Sequence, residues 1–426
     1  MNAFMQTTLP SITLRISILS MLLGIIFPLI SISQNTSQWR GSERHGIYPD
    51  KELLESWPAE GPALVRTYTE IGNGYGSPTI TDTMLFITGE IDSTAYLLAY
   101  DPEGNLLWKS DFGQEWIVNY QGSRCAPTVV DNLVYVTSGL GALACFEAKT
   151  GKKIWSTELV KNLHGASPLF GYAEAPLVHG NLVFATPGGP DTNVVALDRF
   201  TGKVRWVCKG NGEVPGYNSP ILINLPTRDI VALFTAYSFL GIDTRSGKLL
   251  WSHDQVNTPA YERKSGNGDT HSNSAWYEDG FIYYIAGDGN GAVKLELSAD
   301  GSTIRQVWRN KGIDNYMGGF VIRNGQVYTC TSSGKSLVSL DTKTGEITNT
   351  LKIGTGSLIW ADEKIFYYTQ GGKIYLVDPA KMEARSSFAI VKGTKEHFSH
   401  PVIHKGVLYV RHGNVMMACD IAGSPG

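Results

Sequence analysis

Apolar and polar residues alternate with a period of two along much of this chain. Runs such as Leu133-Val134-Tyr135-Val136, Phe281-Ile282-Tyr283-Tyr284-Ile285 and Ile365-Phe366-Tyr367-Tyr368 are β-branched and aromatic, the composition of strands. No segment sustains a 3.6-residue apolar period between caps, so no long helix is expected. The strands recur in a fixed phrase. A small residue and Pro open it, an alternating strand and a second strand follow, and a third strand ends in a turn built on Asp and Gly. A fourth strand then ends in Trp.

The opening pairs are Ser77-Pro78, Ala126-Pro127, Ala175-Pro176 and Ser219-Pro220. The turn reads Glu147-Ala148-Lys149-Thr150-Gly151, Asp198-Arg199-Phe200-Thr201-Gly202, Asp243-Thr244-Arg245-Ser246-Gly247 and Asp341-Thr342-Lys343-Thr344-Gly345. The closing tryptophans are Trp108, Trp155, Trp206, Trp251 and Trp308, at intervals of 47, 51, 45 and 57 residues, with Leu351 and Phe388 in two later copies. In such a turn Asp accepts backbone N–H groups and Gly supplies the left-handed position. Four strands per unit of this length mark a β-propeller blade.

Seven complete units lie between Ser77 and Phe388, and an eighth, incomplete one offers three strands within Ser399 to Ile421. The missing outer strand is assigned to Ala63 to Glu70. Pairing the two chain ends in this way removes the free sheet edges. The expectation is an all-β, eight-bladed β-propeller closed by an N-terminal strand, one domain over residues 34–426. Seven blades is the alternative, because the copies ending at Leu351 and Phe388 are short.

Ala-Leu-Asp-Arg-Phe-Thr-Gly-Lys-Val-Arg-Trp at 196–206 and Gly-Ile-Asp-Thr-Arg-Ser-Gly-Lys-Leu-Leu-Trp at 241–251 resemble the tryptophan-docking motif of the pyrroloquinoline-quinone-like (PQQ-like) propeller family. Trp39-Arg40-Gly41 with Trp57-Pro58 looks like the start of its secreted bacterial branch. The resemblance implies the fold. Its members include quinone-dependent alcohol and sugar dehydrogenases and a non-enzymatic outer-membrane assembly factor, so the fold does not choose a function.

Charge and composition narrow the classes. With 36 Lys and Arg against 39 Asp and Glu, the chain lacks the basic excess of a nucleic-acid binder. The five cysteines (Cys125, Cys145, Cys208, Cys330, Cys419) form no CxxC and no adjacent pair, and read as small buried strand residues. Gly287-Asp288-Gly289-Asn290-Gly291 has the composition of a calcium loop. It lacks the further acidic ligands and reads as a hairpin turn, so no metal site is expected. The apolar run Ile16 to Ile30 behind Arg15 is short for a membrane span and fits a signal peptide over residues 1–33. No cysteine follows it, so a periplasmic or secreted protein with no membrane anchor is expected.

In a propeller the loops entering the innermost strands surround one mouth of the channel. At those positions, and in the last mid-blade loop, the chain carries Tyr75, Arg124, Tyr172, Glu174, Tyr217, Asn218, His271, Tyr316, His397, His400, Arg411 and His412. Read functionally, this is a polar, aromatic-lined cup for a small molecule or an oligosaccharide. Read structurally, the tyrosines cap blade ends while the histidines and asparagines satisfy loop backbone. The functional reading expects β-elimination, of dehydratase or lyase type, on a uronic-acid-containing oligosaccharide. His271, Tyr217 and His397 would be the proton-transfer groups and Arg124 the carboxylate partner. Tyr75, Tyr172, Glu174, Asn218, Tyr316, His400, Arg411 and His412 would bind substrate, with no cofactor. One alternative is a non-catalytic binding or assembly propeller of the cell envelope with a protein partner. The other is a quinone-dependent sugar or alcohol dehydrogenase, the one case that calls for PQQ and calcium. Dehydrogenases of that kind characteristically carry a vicinal disulfide and larger inserts, and this chain has no Cys-Cys pair.

Overall fold

The computed structural model describes Met1 and residues 36–423. The expected signal peptide, apart from Met1, lies outside the described residues. Eight antiparallel sheets follow one another along the described chain. The first blade is Thr79–Ile80, Leu85–Ile91, Thr94–Tyr100 and Leu106–Gln114, hydrogen-bonded in chain order, and the next six repeat that order. The eighth has three strands of its own, Val402–His404, Val407–His412 and Val415–Asp420. Its fourth is Leu64–Tyr68, which pairs antiparallel with Val415–Asp420 in the register Leu64↔Cys419 and Tyr68↔Met416. The ring is therefore eight-bladed and closed by the N-terminal strand.

The repeated motif is the joint between blades. Asp198 Oδ1 accepts the amides of Phe200 and Thr201 and the Thr201 hydroxyl. Gly202, at φ +70°, closes that turn, and the ring of Trp155 from the preceding blade lies over it. The same stacking places Trp108 on Gly151, Trp206 on Gly247 and Trp308 on Gly345, where a Cβ would come within 2.5–2.7 Å of the indole. Only glycine leaves room for the ring and tolerates this backbone. Each indole N–H, that of Trp251 included, donates to a carbonyl of the next blade's turn at 2.8–3.2 Å. In the copies without Trp, Leu351 packs against the apolar core that contains Met382, and Met382 takes the left-handed position itself at φ 52°. Phe388 lies against Gly61 and Trp57, so the N-terminal segment stands in for the turn that the last blade lacks.

The apolar cores form between neighbouring blades; one contains Trp276, Phe320, Leu358 and Trp360 from three successive blades. All five cysteines are free and buried. Gly287 to Gly291 spans the hairpin between Phe281–Ala286 and Gly291–Leu297.

Ahead of the closing strand, residues 36–48 run inside the ring. Thr36–Ser37 add an inner strand to the second blade, in the register Thr36↔Val130. Arg44 donates to the carbonyls of Ala175, Pro176 and Pro220, and Arg40 to those of Phe320 and Leu358. His45 stacks on Trp276 at 3.7 Å, and Tyr48 and Gly46 exchange backbone bonds with Trp360. The strap thus touches inner strands around most of the ring and plugs its channel. Both guanidinium groups are buried, which lowers their pKa values to about 10.

Candidate functional site

The loops entering the inner strands form a cup of about 340 Å³ at one mouth of the channel. Its wall is an arc of aromatic rings from successive loops. Tyr75 packs on Phe398 at 5.6 Å, Phe398 on Tyr120 at 5.8 Å, Tyr120 on Phe170 at 6.0 Å, and Phe170 on Tyr217 at 5.7 Å. These are the separations of attractive tilted aromatic pairs. Tyr316, Met317 and Trp39 of the strap complete the lining.

The loop that presents Tyr120 is built around two charged side chains. Glu115 accepts the amides of Trp116 and Gly139 and the Ser123 hydroxyl. Burial pushes its carboxyl up despite those bonds. Arg124 donates to the carbonyls of Asn119, Tyr120 and Gly122, which holds Tyr120 at φ 46° with its ring in the mouth. Across the mouth, the Tyr75 hydroxyl donates to Glu396 Oε2 at 2.6 Å, and burial together with this acceptor pushes the phenol pKa up.

Of the side chains singled out in the sequence, Tyr75, Arg124, Tyr217, Tyr316 and His400 line the cup. The rest do not, and most serve the backbone. Arg411 is 1% exposed and donates to the carbonyls of Gly72, Gly76, Thr88 and Gly413, which joins the last blade to the first. His271 is fully buried, with Nε2 on the Ala236 carbonyl at 2.8 Å, and burial lowers its pKa to about 4. Asn218 pairs with both the amide and the carbonyl of Phe234. Tyr172 donates to the Pro187 carbonyl. Glu174 is buried near Arg44 and Thr186, and desolvation pushes it up to about 7. His397 is bonded to the Tyr368 hydroxyl and stacks on His412 at 3.7 Å; burial, then His412, lowers it to about 4. Both ring nitrogens of His412 face carbonyl oxygens of the 392–395 loop.

His400, though in the cup, has no free nitrogen. Nδ1 lies 2.9 Å from Arg40 Nη1, which can only donate, and Nε2 lies 2.9 Å from the Met317 carbonyl, which can only accept. Burial and Arg40 lower its pKa to about 3. Trp39, Phe170 and Phe398 escape a reading that looks for hydrogen-bonding side chains, and Trp39 also lies outside the repeats.

The cup's donor set does not fit a quinone held through a metal ion. Among the described residues no three His, Cys, Asp or Glu side chains are placed to hold a metal. Glu115, which holds the Tyr120 loop, and Glu396, which accepts from Tyr75, are engaged as described above.

Comparison with known proteins gives the lineage. Residues 93–351 match the PQQ_2 family, described as outer membrane protein assembly factor BamB. The quinoprotein alcohol dehydrogenase PedH of Pseudomonas putida is 30% identical over 163 residues, 35% of this chain and 25% of that protein. The outer membrane protein assembly factor BamB of Nitrosomonas eutropha is 26% identical over 216 residues, 48% of this chain and 47% of that protein. The chain thus spans a quarter to a half of the length of these relatives. The crystal structure of BamB from Moraxella catarrhalis superposes with a TM-score of 0.62 at 14% identity, covering 84% of this chain and 99% of that one, and so shares the fold. These relatives overturn the expected β-elimination on uronic-acid oligosaccharides, since they are dehydrogenases and assembly factors, not lyases. The chain belongs to the PQQ_2 family of β-propellers.

Proposed function

We propose that the protein is a non-catalytic binding propeller of the cell envelope, working in the periplasm, whose cup holds an apolar segment of a protein partner. The observation that carries this reading is the unbroken aromatic arc from Tyr75 to Tyr217. Beside it, His400 is held by Arg40 and the Met317 carbonyl and Arg124 by backbone carbonyls, so neither is free to move a proton. The loops around the mouth extend the apolar surface outward through Ile117, Val118 and Leu169, and Val118 is 78% exposed. Exposed apolar patches and aromatic anchors are the marks of protein-binding surfaces. The family's description as an assembly factor supports the same reading, which requires no cofactor.

The test is calorimetric titration of the folded protein with blocked extended pentapeptides bearing a central Phe, Leu or Ser. Saturable binding of the Phe and Leu peptides, with none of the Ser peptide, is expected. Dye-coupled alcohol oxidation on addition of quinone and calcium, with no peptide bound, would overturn the proposal.

A further inference from the structure

Two cavities lie at the strap, and the partition between them is thin. Trp39 lines the cup, while its neighbours Gln38 and Gly41 line a second cavity of about 590 Å³. The ring repeats the division, with Ser77 lining the cup and Pro78 the other cavity. The second cavity is faced by polar groups such as Thr81, Asn132 and Asp50 together with apolar ones such as Ile80, Val129 and Ile403. The strap therefore contributes to the lining of both cavities, and Trp39 is the half-buried ring it presents to the cup.

The position of that ring is determined on two sides. His400 meets it edge-on, with centroids 5.2 Å apart and planes at 79°. The adjacent Arg40 donates to the Leu358, Phe320 and His45 carbonyls and to His400 Nδ1, so the backbone beside Trp39 is anchored to three blades and to the strap itself. A buried guanidinium with four partners cannot shift without leaving carbonyls unpaired.

We infer that Trp39 is the specificity-determining floor of the cup, against which one bulky apolar side chain of the bound segment is seated, and that Arg40 is its positioning residue. The inference rests on the reading of the cup as a protein-binding site. It assigns the ligand class within that reading, a segment that projects a single large side chain along the channel axis. The depth available to that side chain is set by the indole.

The experiment uses the full chain and the same pentapeptides, extended to a central Trp. Binding of the Leu peptide should change the tryptophan emission of the wild type, and Trp39→Phe should remove that change, with binding itself followed by calorimetry. Trp39→Ala deepens the cup and should move preference from the Leu toward the Trp peptide by about tenfold. Mere loosening of the fold would weaken all peptides alike, and a thermal melt of each variant identifies that case. An emission change that survives Trp39→Phe, or an unaltered side-chain preference in a folded Trp39→Ala, overturns the floor while leaving the cup a binding site. A wild type that binds none of the peptides overturns both.

Discussion

Arg40 Nη1 lies 2.9 Å from His400 Nδ1, and because a guanidinium can only donate, this contact places the His400 proton on Nε2. The strap and the last blade's entry loop are thereby joined through one tautomer. Nitrogen-detected NMR of the histidines should show His400 protonated at Nε2 and constant from pH 5 to 8, as expected for a group lowered to about 3. A His400 signal that titrates near pH 6.5 would mean that Arg40 is not seated against it.

Trp206 lies over Gly247 of the next blade and donates to the Thr244 carbonyl at 2.8 Å. Trp206→Ala should lower unfolding stability by about 2 kcal/mol, a partly buried ring being lost together with its hydrogen bond. Gly247→Val should destabilise as well, because its Cβ would meet the indole at a φ of +72°. Denaturant unfolding measures both; no change in either would mean that the blades are joined elsewhere.

Arg411, expected to bind substrate, serves the backbone instead. Arg411→Met leaves four carbonyls without their donor at the seam between the last blade and the first. A loss of about 3 kcal/mol is expected, with peptide affinity at the cup unchanged in the folded fraction. Guanidinium melts combined with titration separate the two effects.

Glu174 gives a pH dependence of definite sign. Its folded value, about 7, lies above the ordinary 4.5, so between those values the folded protein keeps a proton that the unfolded chain has released. Stability from this group is therefore present at low pH and lost as pH rises from 4.5 to 7. Glu174→Gln should be more stable than the wild type at pH 8, by on the order of 2 kcal/mol, with the difference vanishing near pH 4.5. A difference that grows toward low pH would reverse the assignment.

The blade count and the interblade role of Trp were legible because each is local, and the closing strand because the last unit lacks one of its four strands. Asp and Gly at fixed spacing dictate the turn, and the turn presents a bare glycine to the preceding indole. The mouth was legible only as a set of loops. Sequence order indicates that Tyr75 and Tyr217 face one opening, but it does not separate a side chain that faces solvent from one that satisfies a carbonyl behind it. Arg411 and His271 satisfy such carbonyls, as their burial makes necessary. The plug was hidden for a different reason. Trp39 to Tyr48 have no periodicity, and their partners lie on or just ahead of the inner strands of seven blades, up to 360 residues away.

The central claim is that the cup binds an apolar protein segment through its aromatic arc. Titration of wild type, Phe398→Ala and Tyr120→Ala with the central-Phe pentapeptide tests it most directly. The account predicts saturable binding to the wild type and a loss of about tenfold or more in each variant, with thermal stability nearly unchanged. Equal affinity in all three proteins, or none in the wild type, would contradict it.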